Sequence, residues 1–233
     1  MTGKTGSRAR RRVVGAGVAA AVLAALATAG WYGYVWLAEP MDVLSSTGEV
    51  DAASRDAGPE GERRLEEIVD RLPGVSRQLG AAAKDHCLRH PAFEGEPPGP
   101  LGCQWRLERY VVLDGDPGEV GEKWTEALGE DRWTGSPEPL PVNFSPSSER
   151  YEYRDARTRD RLVVTLVRDG ADLPLLYAPP VLEPFVEHER ERRDFTGQNA
   201  AREAVAEGRR VARVSLLHAY HAQEGDAPFE PLR

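Results

Sequence analysis

The first 40 residues constrain the fold of this chain more than any other segment. Five cations, the last of them Arg12, precede 26 residues from Val13 to Ala38 that include no charged residue. In a helix such a run extends roughly 39 Å, whereas the hydrocarbon core of a bilayer is about 30 Å thick. The run closes on aromatic residues, which favour the membrane–water boundary: Trp31, Tyr32, Tyr34 and Trp36. We therefore expect residues 13–38 to form a single transmembrane helix.

Two other interpretations of this segment concern export signals. Ala27-Thr28-Ala29 is a small-residue pattern that a signal peptidase could cut before Gly30. The apolar run continues to Ala38, however, which favours an uncleaved anchor. Arg10 and Arg11 loosely fit a twin-arginine signal, but arginines clustered before any single-pass helix would look the same.

The distribution of charge predicts the orientation of the helix. Cations precede it and no acidic residue occurs before Glu39, so residues 1–12 are expected to be a basic tail in the cytoplasm. Residues 39–233 would then lie outside. They carry 25 of the 30 Lys and Arg and all 38 Asp and Glu, a net charge of −13. Such a field repels nucleic acid and anionic headgroups, so the membrane is expected as a partner only through the helix itself.

The two cysteines, Cys87 and Cys103, are both on the predicted outer side. An even number of cysteines in an oxidising compartment predicts a disulfide. A closed loop of about 15 residues would contribute on the order of 3 kcal/mol of stability. The alternative is a pair of buried thiols.

The external part divides by composition into a tether, a domain and a tail. Residues 39–59 are small and polar without an apolar period, which predicts a flexible tether. Residues 60–221 are enough for one domain, and residues 222–233 are expected to be a flexible tail. The domain begins with an amphipathic helix that ends at Pro73, because four apolar residues share one face: Leu65, Ile68, Val69 and Leu72.

Later segments predict the fold class. The best strand covers residues 103–113, and a helix, a hairpin, a second helix and a last strand follow: 120–129, 151–153 with 162–167, 200–205 and 211–220. This βαββαβ order predicts an α+β domain of the ferredoxin-like type, with two helices on one face of a four-stranded antiparallel sheet. A βαββ unit with an irregular C-terminal wrap is the alternative.

Two segments beside these elements are also interpreted as helical. A short helix is expected to carry Val75 and Leu79 towards Cys87, so that one or two helices precede the βαββαβ part. The charged run 187–194 is interpreted as a solvated helical face.

Clusters of metal-binding residue types occur, but none has the spacing of a complete site. His86 and His90 flank Cys87 and would share a helical face, although a zinc site needs about four ligands. His218 and His221 on a strand would point to opposite faces. Asp114, Asp116 and Glu119 lack the length of a calcium loop, and Asp116 is explained as a helix cap.

Catalytic motifs are equally incomplete. Gly3-Lys4-Thr5 lacks the remainder of a phosphate-binding loop, and no serine stands in a G-x-S-x-G turn. In the run from His188 to Arg192, an arginine stands where a zinc-binding motif needs a second histidine. The sequence therefore assigns no catalytic, cofactor-binding or metal-binding residue.

A proline-rich apolar passage is the candidate for docking a partner. Its prolines prevent regular strand pairing, so its apolar side chains either cover the sheet, the simpler interpretation, or remain available to another protein. The candidate docking residues are Leu173, Leu175, Leu176, Tyr177, Val181, Leu182 and Phe185.

These features predict a binding protein rather than an enzyme. The excess of Arg over Lys, 27 to 3, is typical of GC-rich bacterial genomes. We expect a membrane-anchored extracytoplasmic binding or interaction protein of the bacterial cell envelope, with a protein as its partner. The alternative is an extracytoplasmic hydrolase that uses carboxylates or histidines without a recognisable motif. A deep pocket with several acids or histidines would favour the enzyme, and an exposed ridge at residues 173–185 would favour binding.

Overall fold

The computed structural model describes residues 41–91, 98–114, 120–141, 148–181 and 186–231. The chain divides into two compact units, 1–43 and 44–233, and the second contains the sheet. The predicted basic tail and transmembrane helix lie outside the described residues. Among the helices of the described ranges, none combines the length and the apolar composition needed to cross a membrane.

A single antiparallel sheet organises the second unit. Its strands are β1 (Val75–Arg89), β2 (Gly102–Leu113), β3 (Trp133–Gly135), β4 (Leu140–Pro141), β5 (Ser148–Asp155), β6 (Arg161–Val167), β7 (Val186–Arg193) and β8 (Arg210–Ala222). Seven strands follow the order β3-β5-β6-β8-β2-β1-β7, and the short strand β4 pairs with β5. β8, β2 and β6 are the most buried strands, because helical layers cover both faces of the sheet at its centre.

The helices are α1 (Met41–Ser45), α2 (Gly48–Arg71), α3 (Val120–Glu130) and α4 (Gln198–Ala206), with a 3₁₀ helix at Gly170–Leu176. α2 and α3 pack on what we call the first face of the sheet, where Leu65 and Trp124 join the larger core. The 3₁₀ helix and α4 pack on the second face, where Leu176 and Ala201 belong to a smaller core. The second face is therefore covered by shorter elements than the first.

The predicted ferredoxin-like order is wrong. In that fold the first and third strands of the βαββαβ series are neighbours, but β8 lies between β2 and β6 and pairs with both. The two helices also lie on opposite faces, since α3 packs in the larger core and α4 in the smaller one. β1 and β7 extend the sheet beyond β2, so the second unit consists mostly of a seven-strand antiparallel array with few helices.

The helix before the sheet is much longer than predicted, and most of the predicted tether belongs to it. α2 begins at Gly48, where the N-cap Thr47 Oγ1 accepts a hydrogen bond from Val50 N (3.3 Å). After Val50, the residues that face the sheet as far as position 61 are small, so this part of the helix shows no period of large apolar residues: Ser54, Ala57, Gly58 and Gly61. A Cβ atom at Gly61 would stand 2.6 Å from Leu107 Cδ1, so any larger residue at this position would require the Leu107 side chain to move.

Polar contacts hold the first half of α2 on the first face. Ser54 Oγ donates to Asp85 Oδ2 (2.7 Å), and Tyr220 Oη donates to Asp85 Oδ1 (2.6 Å). Arg190 Nε also donates to Asp85 Oδ2 (2.9 Å). The buried carboxylate therefore joins α2 to three strands, β1, β7 and β8.

Three further segments differ from the sequence-based expectation. The residues around Val75 and Leu79 belong to β1 and not to a short helix. The charged run is the edge strand β7, where alternating charges suit an exposed sheet edge. The tail packs on the sheet as far as it is described, because Gln223 N donates to Leu101 O (2.8 Å) and Ala227 is buried.

Candidate functional site

The second face of the sheet carries a row of cations that crosses six strands. Directly paired residues of neighbouring strands share a face, and one such row reads Arg154, Arg161, Leu217, Arg106, Lys84 and Arg192. Adjacent strands lie about 4.8 Å apart, so the row extends roughly 24 Å. Like charges at opposed positions destabilise a sheet unless acidic groups or a ligand offset them. The row therefore marks the second face as the candidate functional surface.

A groove of about 320 Å³ opens over the β1–β2 side of this row. We call it the aromatic groove, and it is lined chiefly by Lys84, Arg106, Glu108, Tyr110, Tyr177 and Phe195. β1 and β2 supply its floor, and its aromatic wall combines Tyr110 of β2 with residues that follow the 3₁₀ helix and β7. Residues distant in the chain meet there because β1 and β7 are neighbours in the sheet.

The aromatic wall is a stack of three rings. The Tyr110 and Phe195 ring centroids are 3.7 Å apart and their planes are nearly parallel. The Tyr177 ring lies 6.3 Å from Phe195 on the open side. Tyr110 and Phe195 are buried, whereas 44% of Tyr177 is exposed. The stack thus presents one accessible aromatic side chain on a rigid base.

Glu108 on the floor of the groove is held by several donors. Its Oε2 lies 2.7 Å from the Tyr110 hydroxyl, and its Oε1 lies 3.4 Å from the Ser215 hydroxyl. Arg106 Nε is 3.6 Å and Arg213 Nε 4.0 Å from Oε1. Burial, with the Glu108 carboxylate nearby, raises the pKa of Tyr110 well above its usual value, so its hydroxyl remains a donor.

Arg213 connects this floor to the 3₁₀ helix. Its Nη1 donates to Leu176 O (3.0 Å) and to Ala178 O, and its Nη2 donates to Thr165 Oγ1 (3.2 Å). The guanidinium therefore satisfies carbonyls at the end of the helix and fixes the backbone that carries Tyr177. Burial lowers the pKa of Arg213.

The cations of the aromatic groove are largely neutralised by neighbouring acids. Lys84 Nζ contacts Glu187 and lies 3.4 Å from Glu189 Oε2. Arg192 Nε lies 2.6 Å from Asp194 Oδ1. Burial raises the pKa of Glu187 more than any single contact lowers it. The favourable contacts, led by the Lys84 ammonium, together outweigh burial, so the pKa of Glu187 lies below its usual value. The groove is consequently amphipathic and close to charge balance.

A second groove of about 340 Å³ lies between the β5–β6 hairpin and the C-terminal segment. We call it the tail groove, and it is lined chiefly by Arg154, Arg159, Arg161, Leu217, Phe229 and Glu230. The Phe229 ring packs edge-on against His86 at 5.7 Å. This contact holds the C-terminal segment over the sheet and gives the groove an apolar side.

The candidate docking residues are dispersed between core and surface. Leu173 and Leu176 are buried in the smaller core, and Leu175 packs against it. Tyr177 lines the aromatic groove and Val181 the tail groove. Leu182 and Phe185 lie outside the described residues. The passage thus covers the sheet through its leucines and offers Tyr177 at the surface.

The cysteines form the predicted disulfide. Cys87 and Cys103 are directly paired across β1 and β2, and their sulfur atoms are bonded. His86 is buried on β1, where its Nε2 lies 3.2 Å from Gln104 Nε2. Within the described ranges, no group of three or more His, Cys, Asp or Glu side chains could hold a metal ion. Asp116 and Glu119, weighed as calcium ligands with Asp114, lie outside those ranges.

One histidine is aligned with a carboxylate in the manner of a catalytic pair. His218 Nδ1 lies 3.0 Å from Asp160 Oδ2, but this carboxylate also receives Arg64 of α2. His218 packs under α2 beside Gly61, and Asp160 is fully buried. The pair therefore links α2 to the β5–β6 turn and to β8, and it lines neither groove.

The cation row could not be found in the sequence, because it depends on the pairing of strands far apart in the chain. Tyr177 could be identified from the sequence as a candidate docking residue, since its proline-rich context indicated irregular backbone. Comparison of the chain with protein family models, curated proteins and solved structures gives no match. The geometry of the two grooves is therefore the basis for interpreting function.

Proposed function

We propose that this chain is a membrane-anchored binding protein of the bacterial cell envelope. Its domain lies outside the cytoplasm and docks a protein partner in the aromatic groove. The single observation that supports this most is Tyr177, which is 44% exposed on top of the buried Phe195–Tyr110 stack. A rigidly supported tyrosine beside arginines is the composition that dominates binding energy in protein interfaces.

The charge balance of the aromatic groove supports a protein as its occupant. Its cations are already paired with acids of the same surface, so a small anion would have to displace those acids. A protein surface can instead bury the aromatic centre and leave the ion pairs at the wet rim, where they contribute to specificity.

Binding fits the groove better than hydrolysis. A carboxylate that acts as a general base must be within reach of a substrate proton. Both oxygens of Glu108 already have neighbouring donors from Tyr110, Ser215 and Arg106. They hold the floor of the groove in place. The groove therefore offers a shaped surface more readily than a free catalytic acid.

The proposed location depends on the sequence pattern of residues 1–38 and agrees with the disulfide. Basic residues before a long uncharged run are typical of a signal anchor. A disulfide is favoured in an oxidising compartment such as the bacterial exterior. Both features support a domain anchored at the outer side of the membrane.

Co-purification from native membranes tests the docking site. The full chain and its Tyr177→Ser variant, each with a C-terminal affinity tag, would be isolated under mild detergent and their co-purifying proteins compared. We expect one protein to be retained by the native chain and depleted roughly tenfold or more by the substitution, as for a hot-spot residue. Leu140→Ser is the matched control, because Leu140 is a comparably exposed apolar residue on β4.

Two results would contradict the proposal. One is equal retention by the native chain and by Tyr177→Ser. The other is depletion by Leu140→Ser to the same extent, since loss at any exposed apolar position would indicate nonspecific adhesion. Circular dichroism of both variants would establish that the fold is intact.

A further inference from the structure

We propose that the tail groove is a second binding site, for an organic anion that carries a carboxylate or phosphate group on an apolar body. It is independent of the partner site around Tyr177. The two grooves share no lining residue, and their cations differ in how far acids neutralise them.

The arginines of the tail groove are brought together by strand register and by the turn. Arg154 and Arg161 are directly paired on β5 and β6, so both guanidinium groups stand on the second face. Arg159 is added from the turn between these strands. Its φ of 61° is uncommon for a residue other than glycine. A bond from Arg159 N to Asp155 O (2.9 Å) fixes this conformation.

These three cations are only partly compensated. Arg161 Nη2 lies 3.3 Å from Glu152 Oε2, and Arg159 Nη1 lies 3.4 Å from Glu230 Oε2. Arg154 makes no ion pair with any residue of the described ranges, and within the same ranges Arg161 Nε has no hydrogen-bond partner. Of the two opposed arginines only Arg161 has an acidic neighbour, and that acid, Glu152, also pairs with Arg150. The pair therefore leaves an excess of positive charge in a chain whose net charge is −8.

Charge and shape together define the ligand class. Guanidinium groups bind carboxylate and phosphate with paired hydrogen bonds, which an ammonium cannot reproduce. The opposite side of the groove is apolar, with Leu217 and Ala219 on β8, Val181 after the 3₁₀ helix and Phe229 in the C-terminal segment. A volume of about 340 Å³ is suited to a small molecule. An anion with an aromatic or aliphatic body would bind the arginines through its charged group and pack against the apolar residues through its body.

Calorimetric titration of the full chain in neutral detergent micelles tests this site. The probes are phenyl phosphate, benzoate and, as a neutral control, benzyl alcohol. Short-chain dihexanoyl phosphatidylglycerol distinguishes a lipid headgroup from a free anion as the natural source. We expect at least one of the three anions to bind with an affinity that falls as salt is added, and benzyl alcohol not to bind.

A double substitution, Arg154→Gln with Arg161→Gln, should weaken anion binding roughly tenfold or more, since charge-assisted hydrogen bonds are lost. Arg157→Gln is the matched control, because Arg157 is exposed in the same turn and does not line the groove. Binding of no anion, or equal binding by the native chain and the double variant with an unchanged circular dichroism spectrum, would overturn the proposal. Retention of the partner at Tyr177 would be unaffected in either case.

Discussion

Cys87 and Cys103 are directly opposed residues on β1 and β2, and the disulfide joins two strands that already pair along their length. Both cysteines are fully buried beside the sheet interior. The bond closes a loop that contains the segment between the two strands. It therefore restricts the unfolded chain while it adds little new constraint to the folded one.

Removal of the disulfide should lower stability without changing the fold. The double variant Cys87→Ala and Cys103→Ala is expected to lose about 3 kcal/mol of unfolding free energy, the chain-entropy value for a loop of this length. Urea denaturation of the native and variant chains measures it. Thiol labelling of the unreduced, denatured native chain should modify neither cysteine; modification of both would refute the bond.

The loss of stability at acid pH should depend on Arg64. Burial disfavours ionisation of Asp155, but the Arg157 backbone N–H and the Arg64 guanidinium outweigh it and hold its pKa below the usual 3.8. Ionised Asp155 thus stabilises the fold above about pH 4, and this contribution is lost as the pH falls through the lowered pKa. Arg64→Gln should cost about 3–5 kcal/mol at neutral pH and make the loss of stability on acidification smaller.

The control for Arg64 is Arg63, its neighbour on α2. Arg63 makes an exposed i,i+4 ion pair with Glu67, so Arg63→Gln should change stability by less than about 0.5 kcal/mol. Urea titrations at several pH values compare the three chains. Equal acid sensitivity of Arg64→Gln and the native chain would contradict the role given to Arg64.

Truncation of Trp124 should cause one of the largest losses of stability among single substitutions. It is fully buried between α3 and the sheet, and its Nε1 donates to Pro73 O (2.8 Å). Trp124→Ala is expected to destabilise the domain by roughly 3–5 kcal/mol, whereas Leu140→Ala, at an exposed position, should cost little. An unchanged melting temperature for Trp124→Ala would refute its place in the core.

The orientation of the chain in the membrane gives a prediction of its own. A reporter fused after Arg233 that is active only outside the cytoplasm should be active in intact cells. The same reporter inserted after Arg12, ahead of the intact residues 13–233, should be inactive, since the basic tail is predicted to stay inside. Activity of the Arg12 fusion with loss of activity at Arg233 would reverse the proposed topology.

The central elements of the sheet could be predicted from the sequence because their patterns are strong. Alternation identified β2, the apolar second arm of the hairpin identified β6, and the apolar spacing from Val120 to Leu128 identified α3. Each of these elements buries one face against the core, and this burial requires the regular spacing of apolar residues by which the element is recognised.

The elements that were predicted incorrectly from the sequence bury little apolar surface or bury it with small side chains. β1 contains Gly80 and three alanines in succession, and β7 is an edge strand composed almost entirely of charged residues. The first half of α2 approaches the sheet through serine, alanine and glycine and includes Pro59. The predicted strand order was wrong for another reason. The position of β8 between β2 and β6 leaves no local pattern in the sequence.

The candidate site was predictable only in part. Tyr177 lay in a passage that the sequence indicated as a docking segment, although Leu173 and Leu176 of that passage are buried. The three arginines of the tail groove lie in the hairpin that the sequence predicted. The rest of the groove could not be associated with them, because it comes from β8 and from the C-terminal segment, which are distant in the chain.

Site-specific photocrosslinking in intact cells tests the docking claim most directly. A photoreactive phenylalanine analogue at position 177 should give one discrete adduct with an envelope protein, because the Tyr177 ring forms the open side of the aromatic groove. The same analogue at position 140 should give no such adduct. Identical adducts at both positions, or none at position 177 with the chain present at its normal level, would contradict a partner docked in this groove.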